Sequence, residues 1–312
     1  MNSIIDDAKS WFAAASVRQT KMGHWIEEAD LDWRFPIEMN PLLSHPAISR
    51  LEEERYRFLC AQLYHKYMHD ICITETDVIN KVALDIAYGR AAISFPDAIR
   101  TAAFSVVMDE AFHSYAARLF SFRIQYVTGV APMFLPQTNA LVEAMQFRGL
   151  EQVPPGLVSL LSCCISESTF TQEILVASRL EKYSQQFRML MVDHLRDEGR
   201  HCSFFRKVLE FYWQAANDEM RNHVAEVLPH ILEAYFDRSI EIEFEKVVLC
   251  EIGFSPSQAD TILKEANRLQ SNTSRVRNAL EFLHSVRVCE HEKTGAQMAR
   301  FMKERGVEIE LH

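Results

Sequence analysis

Glycine and proline are scarce, at nine and ten in 312 residues. So few turn signals argue against a turn-rich β protein and for long helices. An excess of positive charge is missing too: 33 Lys and Arg face 43 Asp and Glu, a formal charge of −10. The basic face that a phosphate backbone requires is therefore not indicated, and nucleic acid is excluded as a partner. No run reaches the roughly 18 apolar residues of a membrane-spanning helix. Residues 1–20 carry Asp6 and Asp7 early and lack the basic start and apolar stretch of a secretory signal. A cytoplasmic protein without membrane contact is the expectation. The seven cysteines form no C-x-x-C pattern, and only Cys163 and Cys164 are adjacent, so neither a disulfide framework nor a zinc knuckle is expected. G-x-S-x-G, a Walker loop and a Gly-rich dinucleotide turn are absent as well. Any electrons needed must come from an external donor such as a reductase or ferredoxin.

What is present is ordinary for a folded chain: 48% hydrophobic and 24% charged residues. Prolines divide the sequence at Pro46, Pro96, Pro136, Pro154, Pro155, Pro229 and Pro256, and between them lie stretches able to stay helical. Helices are expected at about 47–91, 97–127, 156–183 and 186–215, then 219–251, 256–268 and 273–304. The segment from Gly129 to Pro155 is the longest connection and reads as a bundle crossover. The fold class is all-α: a single domain over 1–312, with a four-helix bundle at about 47–215 and additional C-terminal helices.

Periodicity assigns inward faces. Ile71, Glu75, Val78, Val82 and Ile86 share one face of the first long helix. Ala103, Val106, Glu110, His113 and Ala117 do so on the second, and Leu160, Cys163, Glu167, Phe170 and Ile174 on the third. The fourth stripe is Phe187, Leu190, His194, Glu198, His201, Phe205 and Val208. Each helix thus sends a carboxylate into an oily seam, where an unpaired charge costs several kcal/mol. Four such groups ask for a common counter-charge. A metal centre supplies it.

The clearest motif is repeated: Asp109-Glu110-Ala111-Phe112-His113 and Asp197-Glu198-Gly199-Arg200-His201. Glu and His three apart lie on one helix face and can bind one metal centre together. A di-metal carboxylate bundle uses two such pairs plus one Glu from each remaining helix, the places of Glu75 and Glu167. Composition alone predicts about one E-x-x-H, and the third example, Glu281-Phe282-Leu283-His284, lacks the preceding Asp. It is set aside as coincidence. Asp109 and Asp197 point roughly 100° from their neighbouring glutamates, so each is expected to orient a histidine of the opposite motif through its outer ring nitrogen. His194 lies four residues before Glu198 and adds a third imidazole, a normal iron ligand alongside carboxylates.

The set Glu75, Glu110-x-x-His113, Glu167, His194-x-x-x-Glu198-x-x-His201 resembles the p-aminobenzoate N-oxygenase family, ferritin-like di-iron enzymes that insert oxygen at amine nitrogen. The resemblance covers the bundle from about 47 to 215; the C-terminal third is similar only in being helical. It implies two Fe ions, O2 as co-substrate, an amine substrate and a natural-product pathway, and a homodimer is expected. It also implies that Glu110 and Glu198 bridge the irons. Glu75 and His113 would complete one, and Glu167, His194 and His201 the other. Spacing alone implies only di-iron and O2, so a di-iron oxidase of C–H bonds or aldehydes and a ferritin-type iron protein stay open. The region after the bundle suits substrate-pocket walls or a dimer interface better than iron storage.

Other candidates are weaker. Arg275, Arg277 and Arg287 on the last helix could hold a substrate carboxylate. Gly199 is expected to give room beside the iron or to let helices approach. His65 and His69 share a face without a carboxylate, which favours a surface or packing role. His223 and His230 are separated by Pro229, which is expected to break the helix. Cys163, Cys164, Met189 and Met191 read as core filling.

Overall fold

The computed structural model describes residues 2–19, 31–133, 136–145, 153–180, 183–267 and 273–307. Among them there is helix and no strand. The all-α expectation holds.

Helix α1 is Asn2–Ala14. Helix α2 runs over 53–87: Glu53–Ile73 continues through a π-helical stretch, Thr74–Asn80, into Lys81–Ala87. Then come α3 (Asp97–Thr128), a short α4 (Ala140–Met145), α5 (Leu157–Ser178) and α6 (Gln185–Ala215). The remainder is α7 (Asp218–Phe236), α8 (Ser239–Glu251), α9 (Pro256–Glu265), α10 (Thr273–Ser285) and α11 (Glu292–Arg305). Their ends have local causes. Helix α3 stops at Gly129, whose φ of 71° is the left-handed cap that glycine adopts without a Cβ clash. Ser184 caps α6 by accepting from the Phe187 amide at 3.2 Å.

Helices α2, α3, α5 and α6 pack as the bundle, α2 on α3 and α5 on α6. Its interior is two apolar bodies with a polar layer between them. Val78, Val82 and Ile86, with Ala103 and Val106, Leu160 and Cys163, and Phe205 and Val208, belong to one body. Ala117, Phe120, Ile174, Phe187 and Leu190 belong to the other. Along α3, α5 and α6 the stripe passes from one body to the other across the Glu/His positions. Helices α7, α10 and α11 extend the first body and α8 and α9 the second.

Several expected boundaries move. The 129–155 connection contains α4, whose Leu141, Val142, Ala144 and Met145 are buried. Its start is laid along α2 by Gln62, which donates to the Ala131 carbonyl (2.8 Å) and accepts from the Met133 amide (2.9 Å). His65 Nε2 lies 3.0 Å from the Val130 carbonyl and His69 Nε2 2.8 Å from that of Pro136. These two histidines are therefore packing residues. The expected helix 219–251 divides at Asp237, whose carboxylate accepts from the Ser239 amide (2.8 Å) and starts α8. The expected helix 273–304 ends early because Arg287 turns left-handed, at φ 65°. The chain then closes on itself at Gly295, where a Cβ would stand 2.7 Å from the Cys289 carbonyl. Pro229 breaks nothing: α7 runs through it, a correction to the expected stop there. No helix among the described residues is long and apolar enough to cross a membrane.

Candidate metal centre

Glu75, Glu110, His113, Glu167, His194, Glu198 and His201 all converge in the polar layer and all are buried, none above 6% exposed. Helix α3 brings Glu110 and His113 in on one turn, and α6 brings His194, Glu198 and His201 over two. Helix α5 contributes Glu167. Glu75 comes from the π-helical stretch of α2, where the extra residue per turn lets Thr74, Glu75, Val78 and Ile79 all face inward. π-helical turns are frequent at functional sites. Ile71, expected on that stripe, is only half-buried.

Two groups of ligand atoms form. Glu75, Glu110, His113, His194 and Glu198 each bring one atom within 4.8 Å of the others, and so do Glu110, Glu167, Glu198 and His201. Glu110 and Glu198 are common to both groups. His113 Nδ1 is 3.0 Å from Glu110 Oε2, and His201 Nδ1 is 2.7 Å from Glu110 Oε1. His194 Nε2 is 3.1 Å from Glu75 Oε1 and 3.0 Å from Glu198 Oε1. The placement of His194 corrects the division implied by the resemblance, which put it with Glu167 and His201. It belongs with Glu75 and His113, the two imidazole centroids being 4.0 Å apart. The reason is axial rise. Seven residues separate His194 from His201, about 10.5 Å along the helix. One ion cannot bind both, although they point the same way.

Burial opposes charge throughout this layer, and neighbours decide the outcome. The Glu167 carboxyl is pushed well above the ordinary range by burial and then by the charges of Glu198 and Glu110. Against the same burial, His194 and His201 hold Glu198 well below it, and the charge of His201 lowers Glu110. Burial opposes a proton on His113, but hydrogen bonds to Asp197 and Glu110 raise it to about 10. His201 rises likewise through the charge of Glu110 and the bond to Asp109. His194 is lowered by burial and by the charge on His113. The atoms that draw protons onto His113 and His201 would equally draw divalent cations.

The residues fit such ions. Glu75 Oε2 and Glu167 Oε2 are buried without a hydrogen-bond partner, and Glu110 Oε1, His194 Nε2 and His201 Nδ1 meet only other members of the cluster. Leaving one such oxygen unsatisfied costs about 1–3 kcal/mol, and both point into the same buried layer. Four glutamates balance two divalent ions in charge, and mixed carboxylate and imidazole donors suit iron.

Outside this layer, His113 Nε2 lies 3.0 Å from Asp197 Oδ2, and His201 Nε2 lies 3.3 Å from Asp109 Oδ2. Each aspartate thus meets the histidine of the opposite motif. Arg200 pairs with Asp197 and reaches Asp109 at 3.7 Å. Sequence reasoning missed Arg200, quoted in the motif without a role. It also missed Trp11, which donates to Asp109 at 2.8 Å, and Ser16, whose amide and hydroxyl both donate to Asp197. These contacts join positions 98 and 181 apart in sequence, and no local periodicity signals them.

The remaining candidates lie elsewhere. Glu281 is exposed on α10. Cys163 and Cys164 are fully buried, their thiols pushed far up by burial and by Glu167 among their neighbours, so they are inert. Arg277 is exposed and Arg287 pairs with Glu290 at 2.8 Å. Arg275 instead stands 5.4 Å over the Phe170 ring on α5. Gly199 gives room, but away from the ligands: it lines a cavity of about 540 Å³ shared with Trp11, Ala102, Arg200 and Phe204.

No curated protein matches the chain. The model of the family described as P-aminobenzoate N-oxygenase AurF matches residues 23–287. The match extends past the bundle at both ends, further than the 47–215 read from the motifs. Covering most of the chain and coinciding with a buried Glu/His cluster, it shows that this protein belongs to the p-aminobenzoate N-oxygenase AurF family.

Proposed function

We propose that this chain is a non-haem di-iron monooxygenase that oxidises an amine nitrogen with O2. One observation carries the metal side of this reading: Glu110 and Glu198 are shared between two ligand groups whose outer members differ. In this reading Glu75, His113 and His194 complete one site, and Glu167 and His201 the other. Bound iron supplies the reduction of O2 and the transfer of one oxygen atom. The first step balances as R–NH2 + O2 + 2 e⁻ + 2 H⁺ → R–NHOH + H2O. Its two electrons come from an external one-electron donor, and further rounds lead to nitroso and nitro products.

The chain's part is to hold the donors and exclude water. Asp197 and Asp109 accept from the outer nitrogens of His113 and His201, which leaves the inner nitrogens as donors to metal. The apolar bodies on either side keep bulk solvent from the layer and strengthen electrostatics inside it. Space beside His113 and His194, lined by Ile71, Phe112, Ala117 and Leu190, is only about 10 Å³, roughly the room for one water-sized molecule.

The test is mass spectrometry of p-aminobenzoate and of aliphatic amines incubated with iron-loaded, reduced protein under ¹⁸O2. The expected product carries ¹⁸O on nitrogen. Oxygen inserted at carbon, or amines recovered intact while O2 is consumed, contradicts the proposal.

A further inference from the structure

We infer that Trp11 and Ser16 are positioning residues, by which the N-terminal segment holds the two aspartates that orient His201 and His113. The inference rests on the di-metal reading and deepens it. Its basis is a repeated arrangement. Asp109 lies between His201 on one side and the Trp11 indole on the other, the latter donating at 2.8 Å. Asp197 lies between His113 and Ser16, whose amide donates to Oδ1 at 3.1 Å and whose hydroxyl donates to Oδ2. Arg200 joins the two aspartates. The segment thus makes the outermost contact of both chains of hydrogen bonds leading to the ligands.

Packing supports the same role. The Trp11 ring lies nearly parallel to the His201 imidazole, 19° apart with centroids 6.0 Å distant, and edge-on to Phe204. Arg200 sits 5.7 Å over the indole. Ala15 and Ser16 are buried at 2% exposure, whereas Ile5 and Phe12 on the outer side of α1 are 49% and 43% exposed. Helix α1 is therefore fixed mainly at the turn bearing Trp11 and at its end. A carboxylate held by two donors keeps one rotamer, and so keeps its imidazole in one orientation and tautomer. Both residues precede position 23, where the family match begins.

The test uses the full-length, metal-free chain titrated with Co(II) and followed by calorimetry and by Co(II) d–d absorption. The variants are Trp11→Phe, which keeps an aromatic ring but loses the donor, Ser16→Ala and Ser16→Thr. Wild type should bind two Co(II). Trp11→Phe should weaken one of the two steps by up to about 10-fold, the low end of the range for losing a ligand's direct partner, and shift its absorption. In an Asp109→Ala background, which has no acceptor for the indole, the same change should add nothing, because Trp11 acts through Asp109. Ser16→Ala should weaken the other step, and Ser16→Thr should restore it. Thermal unfolding of the metal-free variants separates this from mere packing, which would lower Tm and leave affinity per folded chain unmoved. Two wild-type steps unaltered in Trp11→Phe and Ser16→Ala, or an equal loss with and without Asp109, overturns this inference alone. Failure of wild type to bind two ions overturns it together with the di-metal reading.

Discussion

His194 and His201 share a helix face but stand about 10.5 Å apart along the axis, and this divides the nitrogen donors between two ends of one cluster. His194→Ala should therefore remove a donor from the Glu75 and His113 end only. The fold should persist, with iron dropping toward about one tightly bound ion per chain, since the Glu167 and His201 set is intact. Iron counting on folded variant checks this; loss of both ions with normal unfolding contradicts the division. A quieter residue is Gly199, exposed within α6, where an added Cβ meets nothing within 4 Å. Gly199→Ala should gain about 0.5–1 kcal/mol from helix propensity, read by denaturant unfolding, with iron content unchanged. At this scale the convergence of seven Glu and His side chains, with the two aspartates beside them, was legible, because Glu and His at helical spacing in an apolar stripe have few other uses. The sharing of His194 was not, because angular direction was considered without axial rise. Trp11 and Ser16 were not, because their partners are distant in sequence.

Among the elements, the π-helical stretch Thr74–Asn80 decides whether Glu75 reaches the cluster. Within this stretch Thr76 Oγ1 donates back to the Cys72 carbonyl at 2.8 Å, a bond that bends a helix slightly. Asn139 of the crossover donates to Thr74 Oγ1 at 3.0 Å and braces it. Deleting the exposed Thr76 should remove the extra residue and restore regular winding, with the flanking turns keeping their faces. Glu75 and Val78 would then stand two residues and roughly 200° apart, so one of them loses its inward place and iron per chain or Tm must fall; a variant unchanged in both contradicts this reading of the stretch. Glu281→Ala on α10 should keep all its iron, as that glutamate is exposed. The four bundle helices could be read from proline spacing and periodicity, whereas the π turn could not, since one extra residue in a turn leaves the stripe looking nearly α-helical. The breaks at Asp237 and Arg287 depend on side-chain capping and a positive φ at a residue that seldom adopts one.

For the molecule as a whole, the arrangement is two apolar bodies joined through a layer of buried carboxylates and imidazoles. The apolar bodies would be better joined by hydrocarbon if stability alone mattered, because a buried ion pair is often no better than well-packed apolar residues. The layer is therefore explained by what it binds. That inference could be made from sequence, since four helices each carry an acid at the same depth. The wrapping of the layer by α1 could not. The most direct measurement is the number of Fe(II) ions bound per folded chain after anaerobic loading and removal of loosely held metal. About two are expected, falling to little or none in Glu110→Ala and Glu198→Ala, whose carboxylates both ions would share. Saturation at one ion, or none, or retention of both ions by these variants, contradicts the di-metal reading.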